Sequence, residues 1–104
     1  MVGQATISTD VLARYAADAV RGVAGVRGLA DSPLPRRRGV RLRTSGGAVR
    51  VELHLVVDWG ASIPATGRRV QERVREYLRS MADVEPAAVD VVVDGVAGEM
   101  TEGR

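Results

Sequence analysis

A Gly-Gly pair between two runs of alternating apolar residues constrains the fold more than any other feature. Gly46 and Gly47 separate residues 40–44 from residues 49–59, and consecutive glycines supply the positive φ angles that a two-residue hairpin turn needs. If they form the turn, three residue pairs face each other across the hairpin: Thr44 with Val49, Leu42 with Val51, and Val40 with Leu53. The apolar positions then share one face, so the chain contains an antiparallel hairpin with one buried face.

The second strand of the hairpin has the longest alternation in the chain. Its odd-numbered positions are predicted to point into the core: Val49, Val51, Leu53, Leu55, Val57 and Trp59. Its even-numbered positions then form the outer face, where Val56 is an apolar exception: Arg50, Glu52, His54, Val56 and Asp58. This period of two is typical of a strand with one solvated face.

Two segments have the three-to-four spacing of amphipathic helices. The first covers about residues 10–21, between a capping serine at Ser8 and Gly22. The second begins near residues 62–64 and continues to about Met81. Its predicted buried stripe consists of Ile63, Val70, Val74, Tyr77, Leu78 and Met81. Shorter strands are predicted over residues 23–29 and 89–93.

The order strand, helix, strand, hairpin, helix, strand (β-α-β-β-β-α-β) predicts an α+β fold. We expect a two-layer sandwich in which two helices pack on one face of a mixed, mostly antiparallel sheet of four to five strands. A chain of 104 residues is long enough to form a single hydrophobic core. A single domain is therefore predicted over residues 1–96, followed by an acidic tail over residues 97–104 that is expected to be disordered.

Composition argues against most kinds of catalysis. The chain has no Cys and one His, which excludes disulfides and thiolate sites and makes a metal site or a cofactor unexpected. No serine has a recognisable base to activate it. No stretch approaches 18 apolar residues, and no export signal is present. We therefore expect a cytoplasmic, non-enzymatic protein with no direct membrane insertion.

Arginines concentrated in and before the hairpin are the best candidate for a partner-binding surface. This surface comprises Arg36, Arg37, Arg38, Arg41, Arg43 and Arg50, with the apolar Val56 beside them. The hairpin register sets Arg43 opposite Arg50, and opposed like charges cost stability unless a partner relieves them. An acidic protein surface, an anionic lipid headgroup, a phosphate backbone or the protein's own tail could do so. The alternative is a solvated face on which Glu52 neutralises Arg41.

Other candidate sites have simpler structural explanations. Residues 22–25 have the G-x-x-G form of RNA-binding KH loops, but they join a helix to a strand rather than two helices, which favours helix capping. His54 is interpreted as a solvated strand residue. The later carboxylates lack the spacing of a calcium loop and fit turns and an edge strand: Asp83, Glu85, Asp90 and Asp94.

The order of several short motifs resembles the bacterial alkaline-shock and general-stress proteins of the envelope stress response. The motifs are Gly3-Gln-Ala-Thr-Ile7-Ser8, Val23-Ala-Gly25-Val26, Gly39-Val40, Val49 to Trp59-Gly60, Ile63-Pro64, Val70-Gln71 with Val74, and Val89-Asp-Val-Val-Val-Asp94-Gly95-Val96. The chain departs from the family pattern at Ala82-Asp83, where a Thr-Gly-type turn is expected. The resemblance implies a non-enzymatic cytoplasmic protein that self-associates and is held at the membrane by a separate anchoring partner. It supplies no catalytic residues.

Two functions follow from these observations. The leading hypothesis is a structural or adaptor protein of the envelope stress response that acts through homo-oligomerisation and a membrane-anchored partner. The alternative is a nucleic-acid-binding module that uses the arginine-rich hairpin face, in which case binding would weaken steeply with salt.

Overall fold

Two helices and four strands make up the part of the chain that the structure, a computed structural model, describes: residues 7–30 and 39–98. Their order is α1 (Thr9–Val20), β1 (Val26–Leu29), β2 (Val40–Ser45), β3 (Ala48–Asp58), α2 (Ile63–Ala82) and β4 (Ala88–Ala97). The strand expected before the first helix falls on residues that lie largely outside the described ranges.

Strand β3 is the centre of the sheet. On one side it pairs antiparallel with β2 and β1, and on the other side it pairs parallel with β4. The hairpin register confirms the prediction, with Val40 opposite Leu53, Leu42 opposite Val51 and Thr44 opposite Val49. The sheet is therefore mixed, because α2 carries the chain across to the far side of β3 before β4 begins.

Strands β1 and β2 lie end to end along the same edge of β3. The backbone of His54 joins them: Ala30 N donates to its carbonyl at 2.8 Å, and its own N–H donates to the Gly39 carbonyl at 2.7 Å. Gly39 has a φ of 74°, and a Cβ there would lie 2.8 Å from the His54 carbonyl oxygen. Only glycine fits this junction without strain.

Both helices cover one face of the sheet, as predicted. Against them are buried four inward-facing residues of β3: Val51, Leu53, Leu55 and Val57. Helix α2 contributes a stripe at every fourth position: Thr66, Val70, Val74, Leu78 and Ala82. From α1 come Leu12, Ala16, Ala19 and Val20. Tyr15 and Tyr77 meet edge to face, with ring centroids 6.1 Å apart. The structure thus confirms the α+β fold with a two-layer arrangement.

Three residues predicted to be buried are exposed instead. Trp59 is 60% exposed, Ile63 46% and Met81 49%. Strand β3 ends at Asp58, so Trp59 belongs to the following turn and no longer follows the strand alternation. Ile63 and Met81 lie beside the buried stripe of α2, at its two ends.

Strand β4 ends later than predicted, whereas α2 ends at Ala82, one residue from its predicted end. Strand β4 continues to Ala97 instead of stopping near Val93, and so passes the predicted domain boundary by one residue. A bulge lets it continue, because Leu55 pairs with Val93 and Val56 with Gly95, leaving Asp94 as the extra residue. At the end of α2, Asp83 takes the left-handed conformation with a φ of 55°, where a glycine is usual.

Among the described helices, neither has the length and apolar content needed to cross a membrane.

Candidate partner-binding surface

The sheet face turned away from the helices is the candidate surface, and we call it the outer face. The alternation of three strands places its charged and apolar side chains: Arg41 and Arg43 from β2; Arg50, Glu52, His54, Val56 and Asp58 from β3; Asp90, Val92 and Asp94 from β4. No other described element covers these side chains. Among the described residues, nothing therefore covers the outer face.

Three arginines occupy the hairpin end of the outer face. Arg43 pairs in register with Arg50, and Arg41 pairs with Glu52; all three arginines are exposed. None forms an ion pair with another residue of the described ranges. We call Arg41, Arg43 and Arg50 the arginine cluster. The remaining predicted members of the surface, Arg36, Arg37 and Arg38, lie outside the described residues.

Val56 lies on the outer face between two glycines. Its register partners are Gly28 on β1 and Gly95 on β4. An ideal Cβ on Gly28 would have no atom within 4 Å. Because both partners are glycines, neither neighbouring strand places a side chain directly beside Val56, which is half-buried. Val92 on the same face is 39% exposed. This is the apolar part of the surface, separated from the arginine cluster by His54.

His54 lies between two carboxylates. Its Nε2 is 2.6 Å from Oε2 of Glu52, and its Nδ1 is 3.0 Å from Oδ2 of Asp94. The hydrogen bond to Glu52 raises the pKa of His54, and the bond and charge of Asp94 act in the same direction against partial desolvation. The hydrogen bond with His54 in turn lowers the pKa of Glu52, helped by Arg41 and Arg43. His54 therefore holds its proton more strongly than a solvated imidazole.

This arrangement refines two sequence-based interpretations. His54 lies on the outer face of β3 as predicted, but its side chain is only 31% exposed and carboxylates flank both of its ring nitrogens. Glu52 is the predicted neutralising partner of Arg41, and although the two residues are in register, its carboxylate contacts His54. The sequence does indicate one of the two contacts of His54, because Glu52 and His54 are two residues apart on one face of β3. The contact of Asp94 with His54 is not predicted from the sequence, because the position of Asp94 depends on the bulge in β4.

The imidazole of His54 and its two carboxylate partners, Glu52 and Asp94, do not form a metal site. The two carboxylates contact opposite edges of the imidazole ring, so the three side chains cannot converge on one ion. Within residues 7–30 and 39–98, no group of three potential ligands lies close enough to hold a metal. The other three candidate carboxylates are elsewhere: Asp90 lies opposite Glu52 in register, Asp83 follows the end of α2, and Glu85 lies 3.7 Å from Arg79.

Residues 22–25, with the G-x-x-G pattern, connect α1 to β1. Gly25 packs so closely on α2 that a Cβ there would lie 2.5 Å from Thr66 Oγ1. Arg69 Nη2 donates to the carbonyl of Ala24 at 3.1 Å. The segment ends a helix and packs against a second one, in agreement with the capping interpretation.

The far end of the outer face is electrically balanced. Arg27 Nε donates to Oδ1 of Asp58 at 2.9 Å, close to the exposed Trp59. Among the described residues of this face, uncompensated positive charge is thus confined to the hairpin end.

Solved structures share the fold. A variant of the MamM CTD in a manganese form is 17% identical and covers 85% of this chain and 99% of its own, with a TM-score of 0.57. Another MamM CTD structure is 16% identical, with a TM-score of 0.58 and 85% and 99% coverage. At such identity the likeness extends to the fold alone.

Sequence comparison identifies the family. An uncharacterized Streptococcus pyogenes protein, Spy1535, is 27% identical over 108 residues, covering 96% of this chain and 84% of the relative. The uncharacterized protein YqhY of Bacillus subtilis is 28% identical over 94 residues, covering 84% and 70%. Residues 1–98 match the model of the alkaline shock protein 23 family, described by its cell envelope-related function. This confirms the resemblance noted from the motifs, and the chain belongs to the alkaline shock protein 23 family.

Proposed function

We propose that this protein is a non-enzymatic structural or adaptor component of the cell envelope stress response, which self-associates and binds a membrane-anchored protein partner. The open outer face, with its arginine cluster, is the observation that carries the proposal. The family supports the relation to the envelope. The partner would hold the otherwise cytoplasmic chain at the inner face of the membrane.

Energetics favour an occupied outer face. Arg43 and Arg50 are directly opposed, and such a pair costs a few tenths of a kcal/mol to about 1 kcal/mol compared with neutral neighbours. A partner carboxylate would remove that cost. Val56 and Val92 add apolar area that a contact would bury at roughly 25 cal/mol per Å². We include Arg36, Arg37 and Arg38 in the proposed surface because they immediately precede β2 in the sequence.

The domain organisation is part of the same proposal. One domain ending with β4 would carry both the self-association and partner-binding surfaces, and the acidic residues after it would form a tail. Removing residues 99–104 should therefore leave the fold intact.

Light scattering after size exclusion tests self-association, with low and high salt for each variant. We expect a concentration-dependent assembly that Arg41→Glu/Arg43→Glu disrupts, because the charge reversal removes two cations of the arginine cluster and repels a partner carboxylate. Arg14→Glu/Arg68→Glu is the matched control, since both arginines are exposed on helices and the charge change is equal. A wild type that stays monomeric at every concentration contradicts self-association, and an equal effect of both double variants contradicts the proposed surface.

A further inference from the structure

Glu52 has four cationic neighbours on the outer face, His54 and the three residues of the arginine cluster, and contacts only His54. His54, two residues along β3, is at 2.6 Å, whereas Arg41 is its register partner across β2. Directly opposed residues in an antiparallel pair have Cβ atoms roughly 5 Å apart, well within the reach of a Glu and an Arg side chain. The carboxylate of Glu52 can therefore bind either His54 or Arg41.

The proton on His54 decides between these two contacts. A protonated imidazole donates from both nitrogens and can satisfy Glu52 and Asp94 together, whereas a neutral ring has one donor and turns a lone pair toward the other carboxylate. The other charged groups facing His54 are Arg41 from β2, Arg50 and Asp58 along β3, and Asp90 from β4. At the junction between β1 and β2, the neighbours of His54 are the backbones of Ala30 and Gly39. Arg41 is thus the available cation for a released Glu52.

We propose that the arginine cluster binds an acidic, extended segment of a protein partner, and that protonated His54 keeps the site open by holding Glu52 away from Arg41. Deprotonation releases Glu52 to Arg41 and closes the site. This inference rests on the proposed function, since it specifies the chemistry and the regulation of the same surface.

Geometry favours an acidic peptide over a nucleic acid. Arg41 and Arg43 are alternate residues of one strand, about 6.8 Å apart, which matches the spacing of alternate side chains in an extended peptide. Glu52 and Asp90 lie next to the cluster and would repel a phosphate backbone that continued across the face. The outer face as described also has no aromatic ring on which a base could stack. Carboxylates of a short segment can pair with the planar guanidinium groups one at a time.

Fluorescence anisotropy with a labelled hexaglutamate peptide tests the binding site. Glutamate stays ionised between about pH 6 and pH 9, so any pH dependence in this range belongs to the protein. We expect the wild type to bind about two to five times more tightly at pH 6 than at pH 9, the range expected for one exposed ion pair. Arg43→Gln should weaken binding by a similar factor at both pH values. Hexaglutamine is the peptide control.

Two further variants test the role of His54. His54→Gln should bind weakly at both pH values, because Glu52 is always free to pair with Arg41. Glu52→Gln should bind tightly at both and lose most of the pH dependence. If Glu52→Gln keeps the wild-type pH dependence, or His54→Gln still responds to pH, the proposed regulation is wrong.

The site itself is refuted if hexaglutamate binds no better than hexaglutamine at pH 6, or if a single-stranded oligonucleotide binds more tightly than the acidic peptide. The titrations use a protein concentration at which light scattering shows one oligomeric state. Self-association without peptide binding then contradicts only this inference, and peptide binding by a strict monomer contradicts only the self-association.

Discussion

His54 makes the stability of the molecule depend on pH. Its pKa is raised in the folded state by the hydrogen bond with Glu52 and by Asp94. A group with a raised folded pKa contributes fully below its unfolded value, and this contribution is lost as the pH rises through the folded pKa. The chain has one His and no Cys, so His54 dominates side-chain titration near neutrality.

We therefore expect the free energy of unfolding to fall as the pH rises from about 6 to about 9. Urea denaturation followed by circular dichroism at several pH values measures this. His54→Gln is the control and should show little change over the same range. An equally steep decline in that variant would show that another group is responsible. Toward acid pH a second loss is expected as Glu52, whose pKa is lowered, becomes protonated.

Gly39 leaves little room for a side chain, because the nearest atoms around it belong to the backbone. Gly39→Ala should cost about 1 to 3 kcal/mol or more, because the positive φ angle and the contact with the His54 carbonyl both oppose a Cβ. Gly46→Asn is a matched control, since Gly46 also has a positive φ of 56° but open space around it, and asparagine tolerates that conformation. Denaturant midpoints that shift equally for both variants would contradict this account.

Asp83 offers the opposite experiment. A left-handed residue with a Cβ is strained, and a carboxylate at a helix C-terminus opposes the helix dipole. Asp83→Gly should raise the free energy of unfolding by about 0.5 to 1 kcal/mol, measured by urea denaturation. Asp83→Ala should lower it, because alanine keeps the strain without the local hydrogen bonding of Asp. A gain with both substitutions would indicate that charge rather than conformation determines the effect.

Among the secondary-structure elements, the β2–β3 hairpin combines a stability cost with the proposed binding surface. Arg43→Thr removes the positive charge that faces Arg50 and should stabilise the fold by about 0.2 to 1 kcal/mol. Arg41→Thr should bring no such gain, because Arg41 faces Glu52. Thermal unfolding of the two variants makes the comparison. If Arg43→Thr destabilises the protein, the two guanidinium groups do not repel each other appreciably.

The hairpin is the most predictable element, and the outer-face contacts are the least predictable. Gly46-Gly47 and the period-two pattern determine the register locally, so the pairing of Arg43 with Arg50 follows from sequence alone. The contact between His54 and Asp94 joins strands whose register depends on the α2 crossover and on a bulge, neither of which has a local signal. The same limit applies to Trp59, because alternation does not show where a strand ends.

On the scale of the whole molecule, the arrangement of layers directs contacts to one side. Both helices occupy one face of the sheet, while the two outer edges of the described sheet carry charged residues, including Arg41 and Arg43 on β2 and Asp90 and Asp94 on β4. Charges at sheet edges discourage strand-to-strand aggregation. The outer face, rather than an edge, is therefore the more suitable surface for a regulated interface.

The backbone of His54 also has a consequence for protein engineering. Ala30 and Gly39 are both hydrogen-bonded to the backbone of this one residue, so the sheet holds the two ends of the intervening segment together whatever its length. A short Gly-Ser insertion between Ser32 and Pro33 should change the free energy of unfolding by less than about 1 kcal/mol, since doubling a loop costs about 0.6 kcal/mol. The same insertion between Gly46 and Gly47 should cost more, and chemical denaturation of both variants compares them. We therefore expect that a fluorescent protein or an affinity tag can be inserted between Ser32 and Pro33, with both chain termini left untouched.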